Sequence, residues 1–244
     1  MHARLYMFAV SNPGHTARLM LAHKGIPTTV VNLLPGVHPL VLWAHGFRRG
    51  TVPALRLQGR RIEGSLQIAQ ALERLVPEPP LYPAEPAHRR AVSDAELWGE
   101  SQLQPIPRRI FRFALAGDSR LRGEFAAQLG VPLPRVAAAL NLPVARAMAA
   151  RAGADETRVR SDLSGLRATL ARVDELIETG VIGGSQPNAA DFQILPTVRL
   201  IGALDDLAPA VQGRPCGELA ERMIPQFPRA APFLGEQLLS LAEL

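Results

Sequence analysis

Thr51-Val52-Pro53-Ala54-Leu55 is the stretch from which the rest of the chain can be read. A proline entering an apolar strand offers no amide hydrogen to a sheet, and the bond before it can be cis. A cis bond at Val52-Pro53 turns the Val52 backbone outward. Its N–H and C=O can then pair with an extended peptide-like ligand, as a sheet edge does. The same residues also suit an ordinary surface turn, so the flanking segments have to separate the two readings.

Upstream, Leu5 to Val10 reads as a strand, followed by Ser11-Asn12-Pro13-Gly14 and a helical run from Thr16 to Lys24. Thr16 or Ser11 can begin this helix, and Gly25 is a left-handed stop with Ile26 as its apolar contact. Thr28 to Leu34 is β-branched and apolar enough for a second strand, and an irregular stretch around Trp43 and His45 leads to Pro53. Gln58-Gly59 supplies a hairpin turn into Arg60-Arg61-Ile62. After Glu63-Gly64-Ser65, the residues Leu66, Ile68, Ala69, Leu72 and Leu75 have helical spacing, and Pro77, Pro79, Pro80 and Pro83 end it.

This order, βαβ then hairpin then helix, is that of a thioredoxin-like domain. With Ser11, Arg18, Thr51-Val52-Pro53-Ala54-Leu55, Ser65, Ile68, Leu72 and the later Asn188-Ala189-Ala190-Asp191-Phe192, the chain resembles the glutathione transferase family, of the cytosolic type with serine at the active position. The resemblance implies an α/β thioredoxin-like first domain over residues 1–78, a linker over 79–86, and an all-helical second domain over 87–244. It also implies a cytoplasmic homodimer that joins glutathione to a small hydrophobic electrophile, or reduces with it.

Family resemblance gives individual residues their roles. Ser11 would donate its hydroxyl to the glutathione sulfur. Considered alone, Ser11 reads first as a helix cap, and it is the family pattern that gives it the role at the sulfur. A thiol titrates near 8.5, and lowering that by ~2 units takes about 2.7 kcal/mol. One hydrogen bond to a charged group contributes roughly 1.5 to 3 kcal/mol and a helix N-terminus about 0.3 to 1, so a serine suffices. Thr51, Val52 and Pro53 would hold the peptide backbone of glutathione, and Ser65 at the start of a helix its γ-glutamyl carboxylate. Relatives usually carry Glu or Asp directly before that serine; here Gly64 stands there and Glu63 one place earlier. Among His45, Arg48 and Arg49, Arg49 is the best placed for the glycyl carboxylate, through bidentate contact. Phe8, Pro13, Trp98 and Phe111 would line the electrophile pocket, although the aromatic three suit a core as well. Another small thiol, or a binding role without turnover, are the alternatives.

Composition agrees with a two-domain chain. Residues AVILMFWYC make up 47% of the 244, enough for a sizeable core, and no run of about 18 apolar residues suggests a membrane span. The net charge of +5 invites a nucleic-acid reading, but the arginines are scattered and aromatics are only 5%, so no nucleic-acid partner is expected. Cys216 is the single cysteine, which excludes an internal disulfide, and it reads as a half-buried small hydrophobe. His15 and His23 have no spaced partners, so no metal is expected.

Beyond the proline-rich stretch, helices dominate. Ala91 to Leu103 and Ile106 to Leu115 read as helices separated by Pro105 and Pro107, and 117–143 as short helices and loops. Leu163, Leu166, Leu170, Val173 and Ile177 form one apolar stripe on a helix ending near Gly180. Asn188 and Asp191 have the spacing of a reciprocal helix cap, which is structural rather than catalytic.

Overall fold

The computed structural model describes residues 1–9, 11–128, 130–227, 229 and 232–242, apart from the side chain of Arg135. Four strands form one mixed sheet in the order β2-β1-β3-β4: β1 Ala3–Met7, β2 Thr28–Asn32, β3 Ala54–Leu57 and β4 Arg60–Glu63. β1 runs parallel to β2 and antiparallel to β3, with Leu5 opposite both Val30 and Leu55. The hairpin turn places both Gln58 (φ 49°) and Gly59 (φ 77°) in the left-handed region, as a two-residue turn matching strand twist requires.

Helices α1 Asn12–His23, α2 His38–Ala44 and α3 Ser65–Leu75 complete the thioredoxin-like part. The remaining helices are α4 Pro86–Trp98, α5 Pro105–Gly117, α6 Ser119–Gln128, α7 Pro134–Leu140, α8 Leu142–Arg151 and α9 Glu156–Ser164, then α10 Leu166–Glu178, α11 Ala189–Ala203, α12 Pro215–Met223 and α13 Glu236–Leu239. The fold is therefore the expected one, thioredoxin-like followed by all-helical. Contacts group the chain into two compact units, residues 1–101 with 175–197, and 102–174 with 198–244.

In the first unit α1 packs on α3 and on β1, and Leu5, Met7, Met20, Leu21, Ile68 and Leu72 are fully buried. Tyr6 and Ala54 pack with Leu33, Leu42 and Phe47, so a seven-residue helix stands where the sequence suggested an irregular stretch. The apolar anchor of that helix is Leu42, and Pro39 occupies its first turn.

Other boundaries also move. β1 ends at Met7 rather than continuing, because the Met7 carbonyl takes the Leu33 amide (2.8 Å) and the Phe8 carbonyl turns back to the Ser11 amide (3.0 Å). The expected end of that strand, Val10, lies outside the described residues. α4 begins at Pro86, five residues before the expected start, with the Glu85 carboxylate accepting the Ala87 and His88 amides at 2.9 and 2.6 Å. A π-helical turn over Gly99–Leu103 follows α4, and a Cβ on Gly99 would meet the Ile194 side chain at 2.8 Å. The stripe Leu163 to Ile177 is shared between α9 and α10, since the helix breaks at Gly165. Leu163, Leu166, Leu170 and Val173 are buried as that stripe requires.

Candidate active site

Sheet topology alone brings three distant segments to one end of the first unit. Ser11 follows the C-terminal end of β1. Val52-Pro53 precedes β3, whose Ala54 lies opposite Tyr6, and Gly64-Ser65 follows β4, whose Glu63 lies opposite Ala54. Adjacent strands are about 4.8 Å apart, so the three segments span roughly 10 Å, the scale of a short peptide. The N-termini of α1 and α3 are at this same end, each contributing a partial positive charge.

Ser11 is the N-cap of α1, and its Oγ accepts the Gly14 amide at 3.2 Å. A serine hydroxyl has one proton and two lone pairs, so this bond leaves the O–H as a donor. The turn behind it is braced. His15 is buried, and its Nε2–H donates to the Ala9 carbonyl at 3.0 Å. Burial holds its pKa below the ordinary histidine value, with Arg18 adding to the effect and the bond to Ala9 opposing it. The buried Asn12 donates its amide Nδ2 to the Thr197 hydroxyl at 2.9 Å. Gly14 touches Met7 so closely that a Cβ there would lie 2.8 Å from the Met7 methyl. None of these supports was evident in the sequence beyond the glycine itself.

The Val52-Pro53 peptide is cis, and no hydrogen bond among the described residues occupies the Val52 N–H or C=O. The Pro53 carbonyl accepts the Gly64 amide at 2.9 Å, tying this segment to the start of α3. Thr51 is exposed beside it.

Gly64 has φ 98° and ψ 145°, and a Cβ on it would collide with the Gln67 side chain. That conformation suits glycine. Ser65 opens α3 and is 3% exposed, yet its hydroxyl has no hydrogen-bond partner among the described residues and is not sealed from solvent. Beside it, Glu63 is already engaged. Its carboxylate accepts the Arg48 amide at 2.9 Å and the Arg49 amide at 3.0 Å. Glu63 thus pins the loop that precedes Thr51, while the Arg49 guanidinium is exposed and forms no ion pair among the described residues.

The four proposed pocket residues are not all alike. Phe8 is half-buried with its ring edge-on to His38 (4.9 Å), and Pro13 lies half-buried in the first turn of α1. Trp98 is buried at the end of α4. Phe111 belongs to the second unit, where it packs edge-on against Phe125 (5.3 Å) and Phe233 (5.8 Å) in a cluster with Ala114, Leu115 and Leu121. Core packing accounts for it there.

Residues 5–80 match the family model described as Glutathione S-transferase, N-terminal domain. The fold is that of a glutathione transferase. Solved structures agree along the whole length. A glutathione S-transferase from Rhodospirillum rubrum F11 aligns with a TM-score of 0.61 at 19% identity, over 98% of this chain and 99% of its own. One from Methylobacterium radiotolerans JCM 2831, in complex with glutathione sulfonate, aligns at 0.56 and 20% identity over 97% and 99%. The β-etherase LigF from Sphingobium sp. strain SYK-6 aligns at 0.56 and 20% over 91% and 99%. No curated protein matches the sequence. In this glutathione transferase fold, the described residues hold no cluster of His, Cys, Asp or Glu suited to a metal ion. Cys216 is fully buried, more so than the sequence suggested, and its amide donates to Asp174 at 2.9 Å. Burial, reinforced by the Asp174 carboxylate, pushes its thiol up to about 12.

Proposed function

We propose that the chain is a glutathione-dependent transferase in which Ser11 stabilises the glutathione thiolate for attack on a small hydrophobic electrophile. The observation that carries this reading is the set of groups at one end of the sheet left unengaged among the described residues: the Ser11 O–H, the Val52 N–H and C=O, and the Ser65 hydroxyl. Val52 would pair with the peptide backbone and Ser65, with the first amides of α3, would take the γ-glutamyl carboxylate. Arg49 would face the glycyl carboxylate, while Thr51 and Pro53 shape the edge. The thiol gives up its proton to solvent, and its sulfur then forms the bond to carbon as the leaving group departs with the electron pair. Ser11 donates a hydrogen bond throughout and is not consumed.

In this reading residues 1–78 form the thiol-binding domain, 79–86 the linker and 87–244 the helical domain of a cytoplasmic homodimer. Phe8, Pro13 and Trp98 would face the electrophile.

A second thiol remains in view for a specific reason. Gly64 carries no carboxylate and Glu63 is committed to the Arg48 and Arg49 amides, so a ligand ammonium lacks an unengaged acidic partner among these residues. A thiol without that ammonium would meet the same sheet edge equally well.

Steady-state conjugation of an activated aryl halide tests the proposal. Ser11→Ala should lower kcat roughly ten- to a hundredfold, the value of one charge-assisted hydrogen bond, with glutathione affinity retained. Equal turnover by the variant would remove Ser11 from the chemistry.

A further inference from the structure

Helix α2 in the first unit is apolar on both of its faces. Leu42 is buried and Val41 packs inward, both against the cluster that holds Tyr6, Leu33, Phe47 and Ala54. On the outer face Val37, Leu40 and Trp43 are 51, 65 and 54% exposed, and Leu34, on the approach to the helix, is 47% exposed. Along 33–44 the only side chain with a hydrogen-bonding group besides the Trp43 indole is His38, whose half-buried ring lies edge-on to Phe8. A helix that is apolar all round is ordinarily covered, and a row of large exposed apolar side chains marks a contact surface.

Positive charge gathers at the C-terminal end of this face. Arg48 and Arg49 lie just beyond α2, and their exposed guanidinium groups form no hydrogen bond or ion pair among the described residues. Arg61 reaches the same place from β4: its Nε donates to the His45 carbonyl at 2.9 Å, and a Cβ on Gly46 would lie 2.8 Å from that nitrogen. The Trp43 indole borders this loop as well, since a Cβ on Gly50 would meet its Nε1 at 3.2 Å. Against these three cations stands Glu63, whose oxygens are turned to the Arg48 and Arg49 amides. The bias extends along the chain, because the first 62 residues hold eight Lys and Arg and no Asp or Glu.

We propose that the outer face of α2 docks on the surface of an anionic lipid membrane. Leu34, Val37, Leu40 and Trp43 enter the boundary between headgroups and acyl chains, and Arg48, Arg49 and Arg61 meet the lipid phosphates. Hydrocarbon asks for no hydrogen bonds, and this face offers almost none, whereas a protein interface ordinarily carries one for every 100–200 Å² or so. A second copy seated here would bring two sets of three guanidinium groups together, which opposes self-association. No helix among the described residues is long and apolar enough to cross a membrane, so the contact is with its surface. The inference goes beyond the thiol-binding reading and shares only Arg49 with it, a residue the test leaves in place.

Co-sedimentation of the full chain with vesicles tests this, using phosphatidylcholine alone and an equal mixture of phosphatidylcholine and phosphatidylglycerol. The chain should sediment with the mixed vesicles and not the neutral ones, less so as salt is raised, and its tryptophan emission should move to the blue. That shift reports Trp43, since Trp98, the other tryptophan, is buried. Leu40→Asp should weaken binding roughly tenfold or more and Arg48→Gln severalfold. Leu97→Asp on α4 and Leu140→Asp on α7, at exposed leucines elsewhere, should bind as the wild type does. Failure to sediment with the mixed vesicles, equal sedimentation with both kinds, or unchanged binding by Leu40→Asp would overturn the proposal. So would a change of oligomeric state in Leu40→Asp on size-exclusion chromatography without vesicle binding by the wild type, which would make the face an interface between copies.

Discussion

Gly64 concentrates the residue-scale argument, because its backbone alone dictates the residue. Its φ of 98° lies where an L side chain is strained, while the Gln67 amide that a Cβ would meet is the far end of a flexible side chain and can swing aside. Gly64→Ala should therefore cost about 1 kcal/mol or more in urea unfolding, and it should also displace the Ser65 hydroxyl that follows. Glu96 gives a second prediction. It is 4% exposed and accepts the Tyr82 hydroxyl at 2.7 Å. Burial raises its pKa to about 7, Glu100 adds to the rise, and the Tyr82 bond opposes it. The unfolded carboxyl ionises near its ordinary value while the folded one still holds its proton, so stability is highest below about pH 4.5 for this group and falls as pH rises toward 7. The total is about 3 kcal/mol. Melting curves from pH 5 to 8 should show that decline in the wild type, and Glu96→Gln, which keeps an acceptor for Tyr82 without a charge, should flatten it. An identical slope in the variant would assign the pH dependence elsewhere.

At the scale of elements, the cap of α11 is the most fully specified. Asn188 Oδ1 accepts the Ala190 and Asp191 amides at 2.9 and 3.3 Å, and Asp191 returns to the Asn188 amide at 2.9 Å and the Gly183 amide at 2.7 Å. The Asn188 Nδ2 also donates to the Val181 carbonyl at 2.8 Å. Asn188→Ala should lower unfolding stability by about 1 kcal/mol or somewhat more, with no change in turnover beyond what lost folded protein explains. This cap was legible because its residues are three apart. Helix starts marked by proline were not. Pro86, Pro105, Pro134 and Pro143 each sit in a first turn, where the missing N–H costs nothing, yet proline reads first as a breaker. Helix α2 escaped notice for another reason: one fully buried residue, Leu42, is too little periodicity to see.

Across the whole molecule, what could be read was local or strictly alternating. The βαβ-hairpin-helix order follows from short segments, and once the strands pair, Ser11, Val52 and Ser65 meet without further information. What could not be read depends on partners far apart in sequence. Glu63 locking the Arg48 and Arg49 amides and Asn12 reaching Thr197 leave no periodic trace. Ser65 is the residue on which the thiol-binding account rests most heavily, since its unengaged hydroxyl is nearly buried and opens a helix.

Calorimetric titration of the purified protein with glutathione, beside Ser65→Ala, therefore tests the central claim most directly. The account predicts one saturable site per chain, with affinity weakened roughly tenfold or more in the variant. An absence of heat and of any thermal shift, or equal affinity in both proteins, would contradict it.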